Sequence, residues 1–423
     1  MALVVQKYGG SSLGTTDKIK AVAEKALTRQ RAGNDVVVVA SAMQGETDRL
    51  IKLALGITDL PDLREYDSMT STGEQVSTAL LAIAIQSLGG KARSLLGFQI
   101  PIKTDSAFKD ARIERIETDR MKKLLAAGNI LVVAGFQGVD PDDNITTLGR
   151  GGSDTTAVAV AAALKADVCE IYSDVDGIYT TDPNVEPRAR KLDKISYEEV
   201  LELSSLGAKV LQIRSVEMAM KHGVPINCLS TFGPATGTLV TTGDEEMESV
   251  VVSGVTQDRK ESKITVCQVP DRPGVAAKLF KPLAENNIVV DMIIQNVSEA
   301  GVTDISFTVR KEDFARARKI AEQSAKDLGA ARVLFDEKIV KVSVVGLGMR
   351  SHAGVASKVF ETLAGGGINI QMISTSEIKV SCVVDEKYGE LAIRLLHEAF
   401  GLDKAPAAKK PAGKKAAKKK SKK

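Results

Sequence analysis

The 423-residue chain contains no tryptophan, three histidines, four cysteines and only 4% aromatic residues. Four cysteines without a CxxC pair exclude a disulfide scaffold and a thiolate zinc site. They fit a reducing compartment, so a cytoplasmic location is expected. Cys169, Cys228, Cys267 and Cys382 lie in apolar runs and read as core residues. His222, His352 and His397 have no metal-ligand spacing, read as structural or solvated, and suggest no Ser-His-Asp or Cys-His relay. No uncharged apolar run approaches ~18 residues, so no membrane-spanning helix is expected. The segment Met1 to Lys7 lacks a basic stretch followed by an apolar core, so no signal peptide is expected. No GxxxxGK[ST] occurs, which excludes a P-loop.

Charge is unevenly placed. The formal net charge is +3, but residues 404–423 hold ten lysines and no acid. Without them, 47 basic residues face 54 acidic ones, leaving the body at −7. An acidic body disfavours a nucleic-acid-binding domain. The tail, built of Lys, Ala, Pro, Gly and Ser, cannot bury apolar surface and is expected to be disordered, with at most non-specific nucleic-acid contact.

Short apolar runs alternate with helical patterns from the start. Residues 3–5, 35–40, 129–134 and 168–172 read as strands; residues 19–27, 80–88 and 154–165 read as helices. Near-continuous Val/Ile strands between helices predict an α/β fold with a mostly parallel sheet covered on both faces. The pattern persists to about Thr231, where Gly/Pro/Thr-rich sequence signals a boundary. Beyond it lies an internal repeat offset by 80 residues. Gly274-Val275-Ala276-Ala277-Lys278 returns as Gly354-Val355-Ala356-Ser357-Lys358, and Ile288, Met292 and Ile293 return as Ile368, Met372 and Ile373. Two copies of one α+β unit are expected. The resulting division is 1–245, 246–337 (the first unit with its lead-in strand), 338–403 and the tail at 404–423.

Five loops carry the chemistry. Lys7-Tyr8-Gly9-Gly10-Ser11-Ser12 follows the first strand. Its glycines let backbone N–H groups approach phosphate, and Lys7 adds a point charge. Ser41-Ala42-Met43-Gln44-Gly45-Glu46-Thr47 follows the second strand, and Thr70-Ser71-Thr72-Gly73-Glu74 opens a helix. Gly149-Arg150-Gly151-Gly152-Ser153-Asp154 leads into an Ala-rich helix. Ser153 or Asp154 is expected to cap that helix, whose N-terminus suits an anion, and Arg150 suits a carboxylate. Ser173-Asp174-Val175-Asp176-Gly177-Ile178-Tyr179-Thr180-Thr181-Asp182-Pro183 lies beyond a strand's carboxyl end. There Asp174 and Asp182 suit nucleotide hydroxyls or a hydrated Mg²⁺. Lys209 suits a nucleotide or solvent. Each loop alone is equally an ordinary connection, and the acids of 174–182 lack the twelfth-position ligand of a calcium loop.

Together these five loops resemble aspartate kinase. The repeat, with Asp271-Arg272-Pro273-Gly274-Val275 and Gln371-Met372-Ile373-Ser374-Thr375-Ser376-Glu377, resembles that family's paired ACT domains. The resemblance spans roughly residues 2–400 and excludes the tail. It implies an amino acid kinase-type three-layer sandwich followed by two βαββαβ ACT domains. It also implies ATP-dependent phosphorylation of L-aspartate to 4-phospho-L-aspartate. By resemblance, Lys7, Glu74 and Arg150 are catalytic. Lys7, Gly9, Gly10, Ser11, Ser173, Asp174, Tyr179, Asp182, Pro183 and Lys209 contact ATP. Ser41, Thr47, Glu74, Arg150, Gly151, Gly152, Ser153 and Asp154 line the aspartate side, Glu74 holding the ammonium and Arg150 a carboxylate. Mg²⁺ is expected to arrive with ATP, without a protein metal site.

The resemblance further implies a homo-oligomer through the ACT sheets and inhibition by lysine, threonine or both. The implied effector contacts are Asp271, Gly274, Val275, Asp291, Gln295 and Asn296 in the first unit, and Asn369 and Ile370 in the second. An internal start at Met247 would yield a shorter regulatory subunit. The rival readings are an amino acid kinase with another acid substrate, a catalytically inactive amino-acid sensor, and a nucleic-acid binder acting through the tail.

Overall fold

The computed structural model describes residues 1–205, 211–234, 236–243, 251–297, 301–347, 349 and 354–404. Lys209, Met247, the boundary at 245 and residues 405–423 lie outside them. The first part runs β1 (Leu3–Tyr8), α1 (Thr16–Arg31), β2 (Asp35–Ala40), α2 (Glu46–Leu55), α3 (Leu63–Thr70), α4 (Thr72–Ser87), β3 (Ala92–Leu95), β4 (Ile102–Thr104) and β5 (Ile113–Ile116). It continues with α5 (Asp119–Ala126), β6 (Ile130–Ala134), β7 (Gln137–Val139), β8 (Ile145–Thr147), α6 (Gly152–Leu164), β9 (Val168–Ser173), β10 (Lys194–Ser196), α7 (Tyr197–Ser205), α8 (Ile213–His222), β11 (Ile226–Ser230) and β12 (Thr238–Thr241).

Eight of these strands form one sheet in the order β10-β12-β11-β9-β1-β2-β6-β3, with only the β11–β12 pair antiparallel. Strand side chains alternate between faces, so an unbroken valine run feeds two cores. Val37, Val39, Leu131 and Val133 pack under α5, α6, α7 and α8. Val36, Val38, Ile130 and Val132 pack under α1 and α4. Three layers result. Helix α6 is buried on nearly every side, which its run of Ala and Val permits. A smaller sheet, β5-β4-β7-β8, leads the chain into Gly149.

The remainder comprises β13 (Val251–Asp258), β14 (Glu261–Pro270), α9 (Val275–Glu285), β15 (Val290–Val297), β16 (Val302–Arg310), α10 (Phe314–Leu328), β17 (Arg332–Asp336), β18 (Ile339–Leu347), α11 (Gly354–Gly365), β19 (Met372–Thr375), β20 (Lys379–Asp385) and α12 (Gly389–Ala399). Two four-stranded antiparallel sheets form, β15-β16-β14-β17 and β13-β18-β20-β19. The lead-in strand β13, grouped by sequence with the first unit, instead pairs with β18 of the second. The reason is edge availability. Strand β14 already has β16 and β17 on its two sides, whereas no described strand follows α12 to fill the open edge of β18. The first unit is thus inserted between β13 and the rest of the second.

Candidate functional site

The parallel strands β1, β2 and β9 all end on one edge of the sheet, and their loops converge there. Strand β1 delivers Lys7 and then Gly9 and Gly10. A Cβ on Gly10 would sit 3.0 Å from the Ala42 carbonyl oxygen, so the two loops touch backbone to backbone. Helix α6 points its N-terminus at the same place. Its N-cap is Gly151, at φ 74°, and no side chain caps it. The expected cap by Ser153 or Asp154 is therefore corrected: both residues fall in the first helical turn. Asp154 reaches across instead, and its carboxylate lies 2.6 Å from the Lys7 ammonium. A cleft of about 390 Å³ results, lined by Lys7, Gly10, Ser11, Ser41, Thr47, Glu74, Arg150, Gly151, Gly152, Ser153 and Asp154. Every residue expected on the aspartate side thus meets in one place.

Glu74 sits in the first turn of α4 and is 3% exposed. Its Oε1 accepts a hydrogen bond from the Ala42 N–H at 3.0 Å, while Oε2 is buried without a partner. Burial pushes its pKa up to about 7, against the opposing pull of the Ala42 bond. A buried carboxylate with one free oxygen on a cleft wall is suited to a cation. The Ser77 hydroxyl donates to the Ser41 carbonyl at 2.7 Å and ties α4 to the same loop.

Arg150 is exposed at the cleft mouth, and two residues missed by the sequence reading hold its loop. Buried Asp67, within α3, accepts from Thr147 N at 2.7 Å, Thr147 Oγ1 at 2.8 Å and Lys109 N at 2.9 Å. Arg214 donates to the Leu148 carbonyl at 2.6 Å and the Ala111 carbonyl at 2.9 Å, and pairs with Asp110 at 2.8 Å. Neither belongs to a glycine-rich motif, so no sequence signal marked them. Asp67→Ala leaves three donors unpaired and is expected to destabilise the fold by about 2–3 kcal/mol while weakening aspartate binding. Thermal melting and the aspartate KM check this together.

Beside the cleft, the Ser12 hydroxyl bonds that of Thr231 at 2.6 Å, and Thr231 N donates to the Ser173 carbonyl at 2.9 Å. These bonds join the glycine turn to the ends of β9 and β11. Asp174, Tyr179, Asp182 and Pro183 line a second cavity of about 670 Å³ together with Val255 and Ile393. The Tyr179 hydroxyl donates to Asp176 at 2.9 Å, and Asp182 accepts from Asn184 N at 2.9 Å.

Of the effector residues, Asp271, Gly274 and Val275 follow β14. The strand register places Gln295 and Asn296 at the same end of that sheet. Asp291 does not join them: it pairs with buried Lys341 of β18, which also meets Glu261 at 2.9 Å, and so bridges the two units. Asn369 and Ile370 precede the edge strand β19.

Residues 2–230 match the model of the amino acid kinase family, and residues 266–324 and 342–400 match that of the ACT domain. Fold and cleft therefore define an amino acid kinase carrying two ACT units. An aspartokinase of Pseudomonas aeruginosa is 58% identical over 409 residues, covering 96% of this chain and 99% of its own. That of Corynebacterium glutamicum is 48% identical over 407 residues, covering 95% and 97%. The solved structure of E. coli aspartokinase III with aspartate and ADP matches with a TM-score of 0.75 at 26% identity, covering 94% of this chain and 99% of its own. The chain belongs to the aspartate kinase family.

Proposed function

We propose that the chain transfers the γ-phosphoryl group of ATP to the side-chain carboxylate of L-aspartate within the cleft between Lys7, Glu74 and Arg150. The observation that supports this most is the pairing of two unlike polar groups there. The Lys7–Asp154 ion pair holds an ammonium beside a glycine turn, where it can turn to phosphate oxygens, and the unpartnered oxygen of Glu74 suits a cation. An amino acid dicarboxylate and a triphosphate between them need both. The aspartate ammonium goes to Glu74 and its α-carboxylate to Arg150.

The nucleophile needs no base, because a carboxylate with a reference pKa of ~3.9 is ionised at neutral pH. Its oxygen forms the new bond to the γ-phosphorus as the bond to the bridging oxygen breaks, and ADP leaves with the electron pair. Catalysis then reduces to in-line positioning and charge neutralisation. Lys7 neutralises the transferring group, while Gly9, Gly10 and Ser11 offer it backbone N–H groups. Ser173, Asp174, Tyr179, Asp182, Pro183 and Lys209 contact the nucleotide. Mg²⁺ enters as the MgATP complex, held mainly by phosphate oxygens and water. Among the described residues no group of three or more His, Cys, Asp or Glu converges to hold an ion unaided.

The ACT units bind lysine, threonine or both and pair the chain into an oligomer. The residues before α9, with Gln295 and Asn296, supply the first-unit contacts. E. coli aspartokinase III has been solved with aspartate and ADP in an R-state and with lysine and aspartate in a T-state, which supports a two-state response here. The test is ADP release from ATP on addition of L-aspartate, with and without saturating lysine and threonine. Aspartate-dependent turnover that an effector lowers is expected. Turnover without aspartate dependence contradicts the catalytic reading, and indifference to both effectors contradicts the regulatory one.

A further inference from the structure

His397 has no place in the chemistry above, yet its side chain is wholly buried. It lies on α12, whose Ala392, Ile393 and Leu396 pack into the core of the second ACT unit, so the helix moves with that unit. The opposite stripe of α12 faces the first part of the chain. There His397 Nε2 and the Thr180 hydroxyl share a 2.9 Å hydrogen bond. Arg394 donates to the Val185 carbonyl at 3.0 Å, and Glu398 meets Arg188 at 3.4 Å. Residues 394, 397 and 398 have the helical spacing that places them on one face.

Thr180 is held from both sides. Within its own loop it exchanges bonds with Arg190, its N–H donating to the Arg190 carbonyl and its hydroxyl accepting from the Arg190 N–H, each at 2.9 Å. The second ACT unit supplies the rest: the His397 bond, and Val255 N donating to the Thr180 carbonyl at 2.8 Å. Gly254 makes that approach possible, because a Cβ there would come within 2.9 Å of the Thr180 oxygen. Tyr179 and Asp182, which line the larger cavity with Val255 and Ile393, flank this anchored residue. Burial holds the His397 imidazole below its ordinary range despite the nearby Glu186 and Asp403 carboxylates, so the ring is neutral at neutral pH.

We infer that His397 is a positioning residue for the nucleotide loop: through Thr180, helix α12 of the second ACT unit sets the placement of Tyr179 and Asp182, and hence the affinity for ATP rather than for aspartate. This rests on reading residues 173–183 as nucleotide contacts. It gives the second ACT unit a direct mechanical hold on one substrate pocket.

The test uses the full-length chain and separates the two substrates' kinetics. His397→Leu and Thr180→Val each remove the bond with little change in volume; Thr180→Val also takes the acceptor from the Arg190 N–H, so a loss in Thr180→Val supports the inference only when a His397 variant shares it. Each is expected to raise the ATP KM about tenfold while the aspartate KM stays within about twofold, and the double variant is expected to be no worse than the worse single one. His397→Gln, whose amide reaches close to the Nε2 position, is expected to restore most of the ATP affinity. Should His397→Leu fail to fold, Thr180→Val carries the test from the other side. An unchanged ATP KM in folded Thr180→Val overturns the inference, as does a proportional loss for both substrates, or a His397→Gln no better than His397→Leu. Asp174→Ala serves as the control. If it raises the ATP KM while Thr180→Val does not, the inference alone fails; if neither does, the nucleotide reading of the loop fails with it.

Discussion

Lys7→Met lowers kcat for aspartate phosphorylation by about 10²–10³ at saturating substrates, with the aspartate KM changed no more than about threefold. The side chain is 12% exposed and sits between Asp154 and the glycine turn, where a triphosphate's charge must be met. Its ammonium gains most when negative charge spreads over the transferring phosphoryl oxygens, so its removal appears in kcat. Lys7→Met also strands the Asp154 carboxylate in a largely buried position, which costs stability. Lys7→Met combined with Asp154→Asn separates the two effects: stability recovers and kcat does not. A kcat within tenfold of the parent for Lys7→Met removes Lys7 from the chemistry.

Glu74→Gln has the second large effect, and it acts in opposite directions on binding and on stability. The amide cannot neutralise an ammonium, so kcat/KM for aspartate falls by about 10²-fold, the worth of a charge-assisted bond in a buried site. The pH behaviour follows from a carboxyl raised by burial to about 7. Aspartate binds best when Glu74 is ionised, so the parent's aspartate KM falls as pH rises from 6 through 7 and levels towards about 8, while that of Glu74→Gln stays flat across the window. Stability runs the other way. The folded state holds this proton more tightly than the unfolded chain does, so the parent loses stability as pH rises from the ordinary glutamate range through about 7. At pH 8 Glu74→Gln is therefore the more stable protein, by up to about 3 kcal/mol, and the difference shrinks towards pH 5. Melting curves at the two pH values check the sign; a less stable Glu74→Gln at pH 8 means that the carboxylate has a cation partner in the unliganded fold.

The parts of the fold visible in the sequence are those where local pattern and burial coincide. Strand β6 is an unbroken apolar run and β2 is apolar after Asp35 because both faces are covered, and helix α6 is mostly a run of small apolar residues after its first turns. Helix α4 begins at Thr72, inside the Thr70–Glu74 stretch read as its opening and eight residues before its apolar part; its first turns bury Gly73, Glu74, Ser77 and Thr78, and periodicity alone would have started it at residue 80. Hydrophobic periodicity cannot detect a helix face that is polar for a functional reason. The cleft itself was legible, since glycine turns and charged residues at strand ends leave a local mark. What supports it was not. Asp67, Arg214 and His397 act through partners 80, 66 and 217 residues away. The pairing of β13 with β18, likewise, depends on which sheet edge is left open rather than on anything within either strand.

The product itself gives the most direct test. The full-length chain is incubated with MgATP, L-aspartate and hydroxylamine, which captures an acyl phosphate as its hydroxamate, and ADP is measured in parallel. Aspartyl hydroxamate is expected to form in step with ADP, to require L-aspartate, and to fall together with ADP in Lys7→Met. ADP released without hydroxamate, or hydroxamate formed from another acid in preference to L-aspartate, contradicts the assignment of the Lys7–Glu74 cleft to aspartate phosphorylation.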